Sequence, residues 1–382
     1  MHIENTLPSI IAGMEQFDGT EFDIRLTSDS DLAIYHDRRL HPAAKKNLGG
    51  TGFVEHYTGE QLQSVGIPLL SDLLSSSDFL DTWKNQPKLV DIELKLPYPG
   101  AGLTRGWFSS RGPREHLTSM FKVLGEVIER FEVPVHNLAI LAFSNQLLRA
   151  RKNAGMEHLP STVLRPCIQP WGGPLVERIR AGPAFFFHPF RRSLATQKRE
   201  GSPFLPMSLN YLLPHSRWVV FGRSVGLYGK PSIRLERLRR GFPVQVFPSK
   251  LQLEWRMRDL GISLICDESP EFVPHDHEGV PRWTRPATQS LTIEEEKKLR
   301  SVRGDAGSSM QQRLVKEVEP WHLKSAKEQV RQMKEWSERW KWTRTVDNLM
   351  AESSDDRLPW EVVRVIGHRG SGASSRPLPD LV

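Results

Sequence analysis

Residues 19–37 read GTEFDIRLTSDSDLAIYHD and predict two short strands that are joined by a polar turn. In the first strand, EFDIRL, alternation places Glu21 and Asp23 on one face and the apolar side chains on the other. Two carboxylates on one side of a strand can hold a hard cation through oxygen ligands. The second strand, LAIYHD, ends in His36, and carboxylates with a terminal histidine fit metal-assisted phosphoester chemistry. A half-buried strand with solvated acids and a capping Asp37 fits the spacing equally well.

A third strand-like run, KLVDIELKLP at residues 88–97, shows the same kind of alternation. Glu93 and Lys95 fall on one face of this strand, and apolar side chains fall on the other. Glu93 would complete the oxygen set that Glu21 and Asp23 begin, and Lys95 would offset negative charge on a bound phosphate. A structural Glu–Lys ion pair is the alternative interpretation.

Several short segments, taken in their order and spacing, resemble the glycerophosphodiester phosphodiesterase family. No single segment is specific, but together they cover most of residues 1–275. They are ENTL (4–7), EFD (21–23), HD (36–37), GIPLLSDLL (66–74), IELK (92–95) and ISLICDESPEF (262–272).

One family motif stands in an unexpected place. The HRG that should precede ENTL is absent there and occurs near the other end, at 368–370 in VVRVIGHRGSG. Reading from the C-terminus into the N-terminus gives VIGHRGSGASSRPLPDLV and then MHIENTLPSI, which resembles an uninterrupted family opening. The chain therefore resembles a circular permutant that is cut in the loop after the first barrel strand. A truncated second copy that begins at the tail is the alternative, but the two ends complement each other without overlap.

The resemblance implies an α/β fold, a circularly permuted (β/α)8 TIM-type barrel with a helical insertion before the C-terminal strand. We expect a barrel body with strands 2–8 in residues 1–275 and a linker with a helical segment in residues 276–358. Residues 359–382 would then supply the first barrel strand, with its HRG motif, and return to the barrel.

Two regions fit this scheme less simply. Beyond Ser144 four runs read as strands, which is one more than the barrel needs before residue 262: TVLRPCIQ (162–169), AFFFHPF (184–190), RWVVFGRS (217–224) and FPVQVF (242–247). A long helix is predicted from about His322 to Leu349, with Trp336 and Trp340 on one stripe. Packing of this stripe against the barrel or a neighbouring helix is favoured over a membrane-surface helix.

The resemblance also implies the members of the site. Three carboxylates would hold one divalent cation, magnesium or calcium: Glu21, Asp23 and Glu93. The general acid and base would be His36 and His368. The phosphate would be bound by Arg369 and Lys95. Two further residues, Glu4 and Asn5, would line the site.

The function that this implies is metal-dependent hydrolysis of glycerophosphodiesters to glycerol 3-phosphate and an alcohol. Lysophospholipase D and sphingomyelinase D-like enzymes share much of the same constellation, so a lipid phosphodiesterase is the alternative. A catalytically inactive barrel that serves as a binding or scaffold module is a further alternative. It predicts loss of site residues, whereas the main positions are present.

Composition narrows the class of protein and its partners. The 382 residues carry a net charge of +7, and residues 149–259 hold 20 Lys or Arg against 6 Asp or Glu. Such a segment attracts anions and leaves peripheral lipid contact open, but no nucleic-acid-binding motif is present and no nucleic acid is expected. The longest apolar run, LAILAF at 138–143, is too short to span a bilayer, and no secretory signal is visible. Cys167 and Cys266 are expected to be buried thiols, so a cytoplasmic protein is expected.

Overall fold

The computed structural model describes residues 3–106, 109–164, 187, 189–213 and 225–371. Within these ranges, eight parallel strands form a sheet that curls into a nearly closed barrel, with helices between most of them. The eight strands, in spatial order, are β5, β4, β3, β1, β9, β8, β7 and β6, and β2 is an additional strand that pairs antiparallel with β1. Their bounds are β1 Gly19–Leu26, β2 Leu32–Ile34, β3 Leu89–Leu94, β4 Leu138–Ala142, β5 Ser161–Val163, β6 Leu205–Ser208, β7 Val244–Phe247, β8 Ser263–Cys266 and β9 Val365–Gly367. The (β/α)8 barrel that the sequence implied is therefore present.

Strand β9, the last in the chain, lies between β1 and β8. Its Gly367 is in register with Thr20 of β1 on one side and with Cys266 of β8 on the other. The ladder continues past the strand ends, where the amide of His368 donates to the carbonyl of Cys266 at 2.9 Å. The C-terminal strand is thus hydrogen-bonded into the centre of the sheet.

The barrel closes across the seam between β5 and β6. The Thr162 hydroxyl donates to the carbonyl of Phe204 at 3.0 Å, and the Gln197 amide donates to the carbonyl of Val163 at 2.6 Å. The first bond joins β5 to the residue that precedes β6, and the second joins β5 to the helix Phe190–Arg199 that leads to β6.

Helices connect and cover the strands. Several follow the sequence closely: Leu7–Gln16 is capped by Thr6, and Thr58 and Thr292 begin helices with capping boxes. The described helices are Leu7–Gln16, Pro42–Leu48, Gly59–Gln63, Leu70–Leu74, Ser77–Asn85, Arg111–Phe131, Leu147–Asn153, Phe190–Arg199, Gly229–Arg239, Glu254–Asp259, Ile293–Ser301, Gly304–Glu317, Ala326–Trp340 and Val346–Ala351. No helix among the described residues is both long and apolar enough to cross a membrane.

Two predictions about elements were wrong. Strand β6 was not predicted because Pro206 lies within it, and proline lacks the amide that a ladder needs. The single long helix over 322–349 is instead two helices, because Lys341 takes a left-handed conformation (φ 53°) and Thr345 caps a new helix. Of the four strand-like runs, RWVVFGRS lies outside the described residues, as does most of AFFFHPF, whose last residue Phe190 begins a helix.

The segment between β8 and β9 packs on the amino-terminal end of the barrel. Asp18, just before β1, accepts hydrogen bonds from the amides of Ala287 and Thr288 at 3.1 and 2.8 Å. The same carboxylate accepts the amide of Val365 in β9 at 3.0 Å. The segment has an aromatic core of its own with four buried indoles: Trp321, Trp336 and Trp340 are stacked in succession, and Trp342 packs at a tilt against Trp340. The tryptophan stripe is therefore packed inside the protein.

Candidate active site at the carboxyl ends of the central strands

Three buried carboxylates meet where β1 and β3 run side by side. Alternation along β1 turns Glu21 and Asp23 to one side, and the parallel register pairs Asp23 with Glu93 of β3. One oxygen from each of the three lies within 4.8 Å of the others. The side chains of Glu21, Asp23 and Glu93 are 3%, 1% and 12% exposed, so water screens their mutual repulsion poorly.

The pKa values of these acids reflect that repulsion. Burial raises the pKa of Glu21 well above its ordinary value, and the charges of Asp23 and Glu93 raise it further. Burial also raises the pKa of Glu93. Asp23 is the exception, because Lys95, His36 and Arg369 outweigh its burial and lower its pKa. A divalent cation bound among these carboxylates would offset their mutual repulsion and the cost of burying their charges.

Lys95 lies directly against this cluster. Its Nζ is 2.8 Å from Asp23 Oδ1 and 2.5 Å from Glu93 Oε1. Although burial alone would lower the pKa of Lys95, the two carboxylates raise it, so the side chain is a permanent cation. The ion pair that the sequence allowed is present at the site.

Strand β9 brings the HRG motif to the same place. The amide of Arg369 donates to Glu21 Oε2 at 2.9 Å, and the amide of Gly370 donates to the carbonyl of Glu21 at 3.0 Å. The Arg369 guanidinium bonds both oxygens of Glu4 at 2.9 and 3.0 Å and approaches Asp23 Oδ2 at 3.4 Å. Burial lowers the pKa of Arg369, but Asp23 and Glu4 raise it more, so the guanidinium stays charged.

The ENT segment closes the site between β1 and β9. The Asn5 side chain donates to Asp23 Oδ2 at 2.9 Å and accepts the amide of Asp23 at 3.1 Å. The backbone amide of Asn5 donates to the carbonyl of Arg369 at 3.0 Å. Asn5 has φ 57°, a left-handed conformation that asparagine tolerates better than most residues. Glu4 and Asn5 thus hold Arg369 and Asp23.

Each histidine is held by an aspartate at its Nδ1 nitrogen. His36 Nδ1 donates to Asp37 at 2.7 Å, and His368 Nδ1 donates to Asp267, which directly follows β8. His368 Nε2 lies 3.7 Å from Glu21 Oε2. Burial and the charge of Lys95 lower the pKa of His36 to about 4, so its imidazole is neutral near pH 7.

Asp267 was missed in the sequence. It lies in the segment ISLICDESPEF, which the resemblance covered, and it follows a buried strand that is adjacent to β9. A carboxylate at the carboxyl end of a barrel strand was the available signal. Burial raises the pKa of Asp267, but the hydrogen bond from His368 and the charges of His368 and Arg369 together outweigh burial, so the pKa is lowered.

Two arginines and a cysteine elsewhere in the chain make no contact with the acidic cluster in the hydrogen bonds and ion pairs of the described residues. Arg105 and Arg111, before and at the start of the helix Arg111–Phe131, both pair with Glu115 at 3.0 and 2.7 Å, and the intervening Trp107 and Phe108 lie outside the described residues. Cys266 is a buried free thiol, and Cys167 lies outside the described residues.

Known proteins with similar sequences and folds share one description. Residues 1–157 match the model of the glycerophosphoryl diester phosphodiesterase family. A curated glycerophosphodiester phosphodiesterase from Caldanaerobacter subterraneus is 24% identical over 260 residues, which cover 62% of this chain and 93% of that protein.

Solved structures add three examples. A glycerophosphodiester phosphodiesterase from Parabacteroides distasonis is 17% identical with a TM-score of 0.43, covering 69% of this chain and 84% of that one. The Thermotoga maritima enzyme is 16% identical with a TM-score of 0.42, covering 71% and 92%. A phosphodiesterase from Oleispira antarctica, in complex with the product sn-glycerol-3-phosphate, is 14% identical with a TM-score of 0.43, covering 69% and 86%.

Proposed function

We propose that this chain, which belongs to the glycerophosphoryl diester phosphodiesterase family, hydrolyses glycerophosphodiesters to glycerol 3-phosphate and an alcohol. One observation carries the proposal: strands from distant parts of the chain bring two aspartate-held histidines to a buried acidic cluster. The acids come from β1 and β3, and the histidines follow β2 and β9.

The two imidazoles supply the proton transfers that the reaction requires. Displacement at phosphorus needs one group to accept a proton from the attacking oxygen and another to donate a proton to the leaving alkoxide. His36 and His368 fit these roles because the aspartate on each Nδ1 fixes the tautomer and leaves Nε2 for the substrate.

Two cations beside the acids would bind the phosphodiester anion. Arg369 is held in place by Glu4 and Asp23, and Lys95 by Asp23 and Glu93. The guanidinium offers directed N–H donors and the ammonium a compact charge, so together they would orient the phosphate between the histidines.

Glu21, Asp23 and Glu93 fit a divalent cation, since three buried carboxylate oxygens within 4.8 Å match the donors that magnesium and calcium prefer. When bound, such an ion supplies electrostatic stabilisation of charge on the phosphoryl oxygens.

The direct test is release of glycerol 3-phosphate from glycerophosphocholine, with and without EDTA and with magnesium or calcium restored. We expect EDTA to abolish release, Asp23→Asn to abolish metal binding in calorimetric titration, and His368→Ala to lower kcat by about 100-fold or more. His275→Ala, in a loop after β8, is the matched histidine control and should keep full activity. Absence of hydrolysis with both metals and several glycerophosphodiesters would contradict the proposal.

One of the arguments for a lipid substrate does not hold in the structure. The tryptophan-rich segment, for which a membrane-surface helix was the alternative interpretation, is packed in an aromatic core of the protein. Lysophosphatidylcholine is therefore the comparison substrate, and we expect slower release of choline from it than from glycerophosphocholine. The scaffold alternative is disfavoured because all the site positions meet in one place.

We also propose that the order of the strands is a circular permutation of the family order. The support is that β9 carries the HRG motif into the position beside β1, where Asn5 of the ENT segment bonds Arg369. The division of the chain at residues 275 and 358 belongs to this proposal.

A further inference from the structure

Arg25 is a buried arginine on the strand that carries the acidic cluster. It follows Glu21 and Asp23 at the same alternation along β1, so its side chain leaves the strand on the same side. The side chain is 2% exposed. A guanidinium is rarely buried so completely unless all its surroundings are arranged to receive it.

The hydrogen bonds of Arg25 go to the main chain beside two site residues. Nη2 and Nε both donate to the carbonyl of His36, at 2.8 and 3.3 Å. Nη1 donates to the carbonyl of Leu96, the residue after Lys95, at 3.4 Å. One planar group therefore joins the chain at His36 to the chain at Lys95.

A buried carboxylate balances the charge. Arg25 Nη1 donates to Glu55 Oε1 at 2.5 Å, and the Glu55 side chain is also 2% exposed. Glu55 lies in the short turn Val54–His56, which follows the glycine-rich segment GGTG (49–52), so the ion pair also fixes this loop against the barrel. Removing one partner of such a pair leaves an uncompensated buried charge.

We propose that Arg25 is a positioning residue that fixes the main chain of His36, and through it the imidazole, relative to the acidic cluster. The inference rests on the proposed function, because it assigns Arg25 a part in the same reaction. None of the four hydrogen bonds of Arg25 reaches Glu21, Asp23 or Glu93, whereas two of them go to the His36 carbonyl, so its most direct hold is on the histidine segment.

The first test is Arg25→Lys, which keeps the positive charge for Glu55 but replaces a planar fork of three nitrogens by a single ammonium, whose donors cannot span the same separated acceptors. We expect kcat for glycerophosphocholine to fall about 10- to 100-fold, as small misplacements of catalytic groups do, with KM changed less than about threefold. Calorimetric binding of magnesium or calcium should be unchanged. The matched control is Arg258→Lys, a buried arginine that pairs with Glu296 away from the site and should keep the wild-type kcat.

A second readout follows the imidazoles directly. In NMR spectra of 15N-labelled histidine rings, assigned with His36→Ala and His368→Ala, Arg25→Lys should shift or broaden the His36 signals and leave those of His368 unchanged. Unchanged His36 signals and an unchanged kcat in a folded Arg25→Lys protein would overturn the inference. If that variant does not fold, Glu55→Gln decides in the same assays, since it weakens the hold on Arg25 and keeps the residue itself.

The two hypotheses fail in different ways. If the wild-type protein releases no glycerol 3-phosphate, the proposed function is wrong, whereas the NMR comparison still tests whether Arg25 positions His36. If the wild-type protein is active, and Arg25→Lys changes neither kcat nor the His36 signals, only the positioning role is wrong.

Discussion

An aspartate bonds the Nδ1 nitrogen of each histidine of the site, but the two aspartates come from different places in the chain. His36 bonds the next residue in the chain, Asp37, whereas His368 bonds Asp267, which is 101 positions away and follows the neighbouring strand. A carboxylate at Nδ1 selects the tautomer with a free Nε2 and stabilises the imidazolium when it forms. Asp267 should therefore matter to the reaction through its hydrogen bond with His368.

We expect Asp267→Asn to lower kcat by about 100-fold, because an amide can donate to Nδ1 and favour the wrong tautomer of His368. Steady-state kinetics with glycerophosphocholine would measure the loss. Asp276→Asn is the matched control, since the Asp276 carboxylate accepts two loop amides, at 2.9 Å each, and an asparagine oxygen can replace it. A kcat within about twofold of wild type would show that Asp267 does not orient His368.

At the scale of single residues, alternation along the strands allowed part of the site to be predicted from the sequence. Glu21, Asp23, Glu93 and Lys95 follow from period-two patterning within single strands. Asp267 and Arg25 do not, because their roles depend on which strands and loops become neighbours, and that is decided by the closing of the barrel. Arg25 had the same inward alternation as the acids, but a lone arginine carries no pattern that distinguishes positioning from a solvated face.

At the scale of elements, β9 depends on its neighbours more than on its own length. It has three residues, and its backbone is paired on both sides by β1 and β8. Asp18 binds the amide of Val365 and also the segment that leads to β9, so the strand enters the barrel already anchored. These contacts do not depend on where along the chain the strand is encoded.

We predict that residues 359–382 can be moved in front of residue 1 without loss of the fold or the site. The amide of Asn5 already lies 3.0 Å from the carbonyl of Arg369, so a short connection at this end of the barrel suffices. The relocated chain should keep glycerol 3-phosphate release within about tenfold of wild type, as circular permutation at exposed loops commonly allows. A chain that ends at residue 358 is the control and should be inactive; equal activity of the control would show that β9 is dispensable.

Elements with a strong local signal were predictable and those set by tertiary contacts were not. Strand β3 and the helix Arg111–Phe131 follow from apolar runs and periodicity. Strand β6 contains a proline, and only the neighbouring β7 shows that the backbone there is extended and paired. The helix break at Lys341, where φ is 53°, accompanies a tertiary contact between Trp342 and Trp340 that the local sequence pattern does not show.

At the scale of the whole molecule, one half-buried histidine makes the free energy of unfolding depend on pH. His116 lies on the helix Arg111–Phe131, and its Nε2 is buried with no hydrogen-bond partner among the described residues. Burial, and then the charge of Arg25, lower the pKa of His116 to about 4. In the unfolded chain the ordinary value near 6.5 applies, so the unfolded state binds more protons between these two pH values.

The contribution of His116 to stability is therefore complete above about pH 6.5 and is lost progressively as the pH falls toward 4. Each unit of pKa difference is worth about 1.4 kcal/mol, so the loss approaches about 3 kcal/mol. His116→Gln, which stays uncharged, should make the free energy of unfolding in urea less dependent on pH over this window. The surface variant His158→Gln should leave the slope unchanged. Parallel slopes for wild type and His116→Gln would mean that the helix opens and lets the protonated imidazole reach water without global unfolding.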